Sequence, residues 1–223
     1  MAQDRLKTWE ILLQRALVLI DSTAPAGVPL KNWSFGGGTV LMRRHKHRFS
    51  KDVDIFIPDA QWLGYLTPRL NEHAESLTTD YVEDGNSLKL LFPEGEIDFV
   101  ASQPLTDNPT NVEQLFGRDV DVETSTEIIA KKIWHRGDQF TARDIFDLAM
   151  VAELEPMSLV PIRPILESRR KVVLRRIDER YTSLSEDFAA LEILEYRRSF
   201  DECIAIVNEA LPGTGASSGP THR

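Results

Sequence analysis

The sequence predicts an α+β fold: a mixed β-sheet flanked by helices, followed by a helical C-terminal part. Three observations lead there. Residues 3–22 of the 223-residue chain carry apolar side chains at helical spacing. Between residues 30 and 101, short β-rich runs are separated by Gly, Pro and Asn turns. From residue 124 onward the pattern is helical almost throughout.

The first helix rests on Leu6, Trp9, Ile11, Leu12, Leu13, Ala16, Leu17, Leu19 and Ile20, and Ala24-Pro25-Ala26-Gly27-Val28-Pro29 breaks it. Leu30 to Phe35 reads as a short strand leading into three glycines, and Thr39 to about Arg44 as a short helix. Val53 to Ile57 is a strand ended by Pro58-Asp59. Residues 60–76 read as a helix with Trp62, Leu63, Leu66 and Leu70 on its apolar side, which Pro68 kinks or divides. TDYVED, SLKLLF and EIDFVAS, joined by Gly85-Asn86 and Pro93-Glu94-Gly95, make three strands. Residues 103–120, with Pro104, Asp107, Asn108, Pro109 and Asn111, read as a loop with at most a short helix.

Thr124 and Glu127 form a capping-box signature that opens a helix to about His135, ended by Gly137-Asp138. Thr141 and Asp144 open another that runs to about Leu154. Glu155-Pro156 and the prolines at 161 and 164 mark a joint. Long amphipathic helices are expected over 165–181 and 184–210. The expected organisation is a catalytic domain over residues 1–155, a helical region over 156–212 and a disordered tail over 213–223.

Composition excludes several classes. Hydrophobic content of 42% and charged content of 27% are ordinary for a globular protein. No apolar run reaches the length of a membrane span, so no membrane partner is expected. The charged, amphipathic N-terminus reads as a helix rather than a signal peptide. One cysteine, Cys203, excludes an internal disulfide framework and fits a reducing cytoplasm. A net charge of −9 argues against indiscriminate nucleic-acid binding. The distribution qualifies this, because residues 43–51 hold Arg43, Arg44, Lys46, Arg48 and Lys51 with no acid. Beside acidic metal ligands such a strip suits a polyanionic substrate. A second basic run, Arg169-Arg170-Lys171 with Arg175-Arg176, reads first as a solvated helix face.

The most informative stretch is FGGGTVLMRRHKHRFSKDVDIFI, residues 35–57. A glycine turn closing on Thr39 at a helix N-terminus offers backbone N–H groups to a phosphate. Asp52 and Asp54, spaced i, i+2 at the head of a strand, share one face, so both carboxylates can reach one divalent cation. Cradle plus paired carboxylates is what metal-assisted phosphoryl or nucleotidyl transfer needs.

Gly37-Gly38-Thr39 followed by Arg48-Phe49-Ser50-Lys51-Asp52-Val53-Asp54 resembles the core motif of the DNA polymerase β-like nucleotidyltransferases. More narrowly, the chain resembles the AbiEii/AbiGii toxin family, whose further motifs recur as Glu127-Ile-Ile-Ala-Lys-Lys-Ile133 and Ala142-Arg-Asp-Ile-Phe-Asp-Leu148. The three blocks span roughly residues 33–150. The resemblance implies a nucleotidyltransferase-type sheet with metal carboxylates on neighbouring strands.

On that resemblance, Asp52 and Asp54 are the metal ligands, for Mg²⁺ with Mn²⁺ as a substitute. Asp98, on an adjacent strand, is the third carboxylate and helps deprotonate the incoming hydroxyl; Glu96 lies on the same face as its rival. Gly36, Gly37, Gly38 and Thr39 bind the triphosphate of an NTP, with Ser50 beside them. Lys132 matches the lysine of the family's E-x-x-A-x-K pattern and serves a phosphate, with Lys131 as its neighbour on the helix. Asp144 matches the family's R-D, and it also stands where a capping box with Thr141 would place an acid. Asp147 is read alternatively as a partner of Arg143. His45 and His47 lack the companions a zinc site needs. The resemblance further implies a toxin–antitoxin context with a cognate antitoxin, and RNA, in particular a tRNA 3′ end, as acceptor. A protein hydroxyl is the next acceptor class. Kinase-like γ-phosphoryl transfer and a non-catalytic nucleotide-binding module are the rival functions.

Overall fold

In a computed structural model, residues 5–24, 27 and 29–212 are described. The expected tail at 213–223 lies outside them. The chain divides into two compact units, one up to Thr124 and one from Ser125, whereas the turn and proline signals place the sequence boundary at 155.

The first unit begins with α1 (Thr8–Asp21), whose Leu12, Leu13, Ala16 and Leu19 are fully buried. It continues through β1 (Ser34–Gly36), α2 (Gly37–His45) and β2 (Val53–Ile57). The expected helix over 60–76 is interrupted. A 3₁₀ turn at Ala60–Trp62 runs into α3 (Leu63–Leu66), and α4 (Glu72–Leu77) starts afresh. Asn71 caps α4 by accepting from the His73 and Ala74 N–H groups. Pro68 falls in the gap, and Leu70 is 66% exposed rather than on a buried side. Then come β3 (Tyr81–Glu83), β4 (Ser87–Phe92), β5 (Gly95–Ala101), β6 (Thr110–Leu115) and β7 (Arg118–Glu123).

The strands form one seven-stranded sheet in the order β3-β4-β5-β2-β1-β7-β6. β2 runs parallel to β5, and β1 parallel to β7; the remaining neighbours are antiparallel. Alternation sorts the faces. Phe35, Val53, Ile55, Ile57, Ile97, Phe99, Leu88, Leu90, Val120 and Val122 are buried on one face. Trp9 of α1 stacks on Phe35 there, with ring centroids 6.0 Å apart. Ser34, Gly36, Asp54, Phe56, Glu96, Asp98 and Lys89 take the alternate positions.

The β6–β7 hairpin corrects the loop expected over 103–120. Phe116 (φ +53°) and Gly117 (φ +77°) make its two-residue turn, both in the left-handed region that suits a hairpin's twist. β6 is an edge strand whose Asn111 and Val112 are exposed, so burial imposes little apolar alternation on it.

The second unit is helical: α5 (Ser125–Arg136), α6 (Ala142–Leu154), α7 (Arg163–Glu179), α8 (Tyr181–Ala189) and α9 (Phe200–Ala210), with 3₁₀ turns at Gly137–Gln139 and Pro156–Leu159. α6 is buried nearly all round from Asp144 to Val151, as befits the centre of a bundle. The single helix expected over 184–210 is two, because residues 190–199 leave helical geometry. Tyr196 of that link packs on Phe146, centroids 5.3 Å apart, and donates its hydroxyl to Glu153. Ser199 and Glu202 then form a capping box that restarts the helix. Burial and the Glu153 contact push the Tyr196 phenol well above its ordinary range, and burial pushes the Cys203 thiol up to about 12. Both groups are therefore structural neutral side chains. No helix among the described residues is long and apolar enough to cross a membrane.

Candidate active site

The glycine turn joins β1 to α2. Gly36 is the N-cap of α2 and, as a glycine, supplies no side-chain cap, so the helix's first N–H groups must find their acceptors outside the N-cap residue. Two of the glycines are required by space. Gly37 has φ +74°, and a Cβ there would sit 1.9 Å from Asp54 Oδ2. A Cβ on Gly36 would sit 2.2 Å from Glu123 Oε2. The backbone of the turn thus lies directly against the Asp54 carboxylate, at the positive end of the α2 dipole.

Thr39 is fully buried, and its hydroxyl donates to the Asp52 carbonyl at 2.6 Å and lies 3.0 Å from Ser50 Oγ. These contacts tie the start of α2 to the segment that carries Asp52. Ser50 is tied in as well, its N–H donating to Met42 Sδ at 3.2 Å. Arg48, 3% exposed, brings its guanidinium to Gly38, 2.6 Å from where a Cβ would stand. Sequence reasoning placed Arg48 in the motif and in the basic strip without giving it a role in the turn.

The acids form a cross-strand row. Gly36 on β1 stands opposite Asp54 on β2, Asp54 opposite Asp98 on β5, and Asp98 opposite Lys89 on β4. Neighbouring strands lie about 4.8 Å apart, so adjacent carboxylates in such a row can share a ligand. Asp52 Oδ1 accepts the Glu96 N–H at 3.1 Å, which ties the start of β2 to β5. Lys89 donates to Glu96 Oε2 at 2.5 Å and lies 3.3 Å from Asp98 Oδ2. Burial raises the Asp98 carboxyl above its ordinary 3.8, helped by the charges of Glu96 and Asp52 and opposed by Lys89. Burial works against the Lys89 charge, but the Glu96 hydrogen bond and the Asp98 charge outweigh it and raise the ammonium above its ordinary value. Lys89 was missed by sequence reasoning, although the Phe92↔Gly95 pairing across the Pro93-Glu94 turn fixes it opposite Asp98.

Among the described residues, no three His, Cys, Asp or Glu side chains converge on one metal-sized point. The trio Asp52, Asp54 and Asp98 is therefore not assembled as a three-carboxylate cage. Magnesium does not need one: it binds through one or two carboxylates and completes its octahedron with phosphate oxygens and water. Hard oxygens at Asp52 and Asp54, beside a helix N-terminus, fit that requirement.

The basic strip is largely engaged within the fold. Arg43 and Arg44 both reach Glu113 on β6, at 2.9 and 3.2 Å. Arg43 also lies over the Trp9 ring, 4.8 Å from its centroid. His47 is fully buried, and Lys46 is the exposed residue that ends α2 in the left-handed conformation.

The second unit carries its own charged cluster. Lys132 on α5 lies 2.5 Å from Asp144 Oδ1 and 3.1 Å from Asp147 Oδ2 on α6; both carboxylates are fully buried. Arg136, one turn beyond Lys132, stands 3.6 Å from Asp144. Asp144 is also the capping-box acid, accepting from the Thr141 N–H and hydroxyl, as the cap reading of this residue expects. Burial pushes its carboxyl up, but Lys132 and Arg136 outweigh it and leave Asp144 below the ordinary carboxylate value. Asp147 faces Lys132, whereas Arg143 is exposed. Lys131 points elsewhere and is buried beside Glu127 at 3.5 Å. The C-terminal basic run serves helix ends. Arg169 donates to the Trp134 carbonyl near the end of α5, and Arg170 to those of Asn208 and Leu211 at the end of α9.

The mixed sheet with its flanking helices is shared with known nucleotidyltransferases, and the family to which the sequence matches makes this chain one. An H. pylori protein proposed to be a nucleotidyltransferase superposes with a TM-score of 0.52 at 15% identity, covering 89% of this chain and 90% of that one. MenT4, a nucleotidyltransferase toxin from Mycobacterium tuberculosis, gives 0.51 at 18% identity over 93% and 82%. JHP933 from Helicobacter pylori gives 0.50 at 14% over 89% and 88%. At these identities the likeness is one of fold. A comparison with curated proteins finds no match. The sequence itself matches the nucleotidyl transferase AbiEii toxin family, type IV toxin–antitoxin system, over residues 22–210. The chain belongs to that family.

Proposed function

We propose that the chain moves an NMP from an NTP to an acceptor hydroxyl, with an RNA 3′ end, tRNA above all, as the acceptor, and that it acts as a cytoplasmic toxin restrained by a cognate antitoxin. One observation carries the chemistry: the in-register row Gly36–Asp54–Asp98, which sets two carboxylates beside the N-terminus of α2. The triphosphate would lie on the N–H groups that open α2 from Gly37 and Gly38. Asp52 and Asp54 would hold Mg²⁺, which supplies charge neutralisation for the phosphates when bound. Thr39 and Ser50 keep Asp52 in place from within the fold. Asp98, made more basic by burial, would accept the proton of the acceptor hydroxyl as its oxygen bonds to the α-phosphorus. The bond from that phosphorus to the bridging oxygen breaks, and pyrophosphate leaves.

The family's E-x-x-A-x-K and R-D motifs support a part in the transfer for Lys132 and Asp144, with Asp144 and Asp147 fixing the ammonium. On that ground the catalytic region is taken to extend to residue 155. Family membership supports the toxin role; the RNA acceptor is the step that experiment must decide. Incubation with each α-labelled NTP, Mg²⁺, total RNA and lysate should label an RNA band, and Asp54→Asn should abolish it. Label arriving only from γ-labelled NTP would replace nucleotidyl by phosphoryl transfer. A labelled protein band without labelled RNA would overturn the acceptor assignment.

A further inference from the structure

The row of residues on the carboxylate face does not end at Asp98. One strand further, Lys89 of β4 stands opposite it, with its ammonium 2.5 Å from Glu96 Oε2 and 3.3 Å from Asp98 Oδ2. A lysine is a compact point charge with three donors, and here it stands between two carboxylates one strand away from Asp54. Two-metal sites place their second ion about 3.5–4 Å from the first, held by a further carboxylate. In this chain the further carboxylate already has its cation. We propose that Lys89 takes the place of a second divalent ion: one metal ion binds on Asp52 and Asp54, and the Lys89 ammonium neutralises Asp98 and Glu96. The inference rests on the transferase reading above and deepens it. Asp98 then lies outside the metal's shell, oriented by Lys89, and remains the residue that receives the acceptor's proton. Lys89 is in this sense a positioning residue and an electrostatic stand-in.

The count of bound ions tests this without reference to turnover. Mn²⁺ is titrated into the full chain, and the free ion is followed by its paramagnetic resonance signal. The parent chain should bind one Mn²⁺. Lys89→Met releases Asp98 and Glu96 and should bind two; adding Asp98→Asn to it should restore one. Lys89→Arg keeps a cation in place and should bind one. If Lys89→Met does not fold by circular dichroism, Lys89→Gln, which can still donate to Glu96, carries the same expectation of two. A parent chain that binds two ions, or a folded Lys89→Met chain that still binds one, overturns the inference and leaves the transferase reading standing. No ion bound by either chain overturns the metal assignment on which both rest.

Discussion

Replacing Lys132 by methionine tests whether the second unit's charged cluster is built for folding, for chemistry or for both. The substitution keeps an unbranched chain of similar length and deletes the charge between Asp144 and Asp147. Both carboxylates are fully buried, and the remaining cation, Arg136, is 59% exposed and 3.6 Å from Asp144 alone. Removing one partner from a buried pair costs about 3–5 kcal/mol, because the other charge stays desolvated. For a chain of this size each kcal/mol lowers Tm by about 2–4 °C, so thermal denaturation followed by circular dichroism should show a fall of about 6–20 °C. Lys131→Met breaks the buried pair with Glu127 and should also lower Tm, while leaving the Lys132 charge in place. Lys132→Met combined with Asp144→Asn and Asp147→Asn removes every charge of the pair at nearly constant volume and should recover most of the lost Tm. Transfer should stay lost in that triple variant. A Lys132→Met chain with Tm within about 2 °C of the parent would refute the burial argument. A triple variant with full transfer would refute a role for the lysine in the reaction.

Gly37→Ala places a methyl group 1.9 Å from Asp54 Oδ2 at a φ of +74°, so the carboxylate must move; transfer in single turnover should fall about 100-fold, the scale for a displacement of about 1 Å. An unchanged rate would show that Asp54 is not position-critical. Glu113→Gln frees Arg43 and Arg44 from their ion pairs, so RNA affinity should rise and its logarithmic salt slope should steepen by about 0.7 for each arginine that reaches a phosphate. An unchanged slope in fluorescence anisotropy would show that the pair cannot reach the acceptor. The Asp144 carboxyl lies below its ordinary 3.8 in the fold, so the ionised form is favoured by folding. Its contribution should be fully present above 3.8 and disappear as pH falls through the lower folded value. Asp144→Asn should flatten the urea-midpoint profile in that acid window, and a profile as steep as the parent's would assign the acid loss elsewhere.

What could be read before the structure was local. The glycine turn and the Asp52–Asp54 pair are contiguous, and their chemistry follows from spacing alone. Asp98 was accessible because one strong hairpin turn sets its strand. The basic strip misled because its counter-charge is remote: Glu113 is 70 residues from Arg43 and 69 from Arg44. No window of sequence shows that these cations are already paired. The β6–β7 hairpin escaped because its edge strand is half polar and its turn begins with Phe116, an uncommon residue at positive φ. The break before α9 escaped for the opposite reason. Ile193, Leu194 and Tyr196 keep an apolar pattern running through a link that is not helical, and only the Ser199–Glu202 signature marks the restart. Thr39 shows a motif residue whose side chain reaches the backbone of another motif residue, Asp52, thirteen positions on.

The position of β2 in the sheet has a consequence for motion. It is the fourth strand of seven, with three on each side, and β5 is its immediate neighbour. Amides in such a place exchange with solvent only when the whole unit opens, whereas edge strands such as β3 and β6 can fray alone. Deuterium should therefore enter β3 and β6 early and Val53–Ile57 last. The backbone pairing that sets Asp54 opposite Asp98 is therefore among the last parts of the first unit to open.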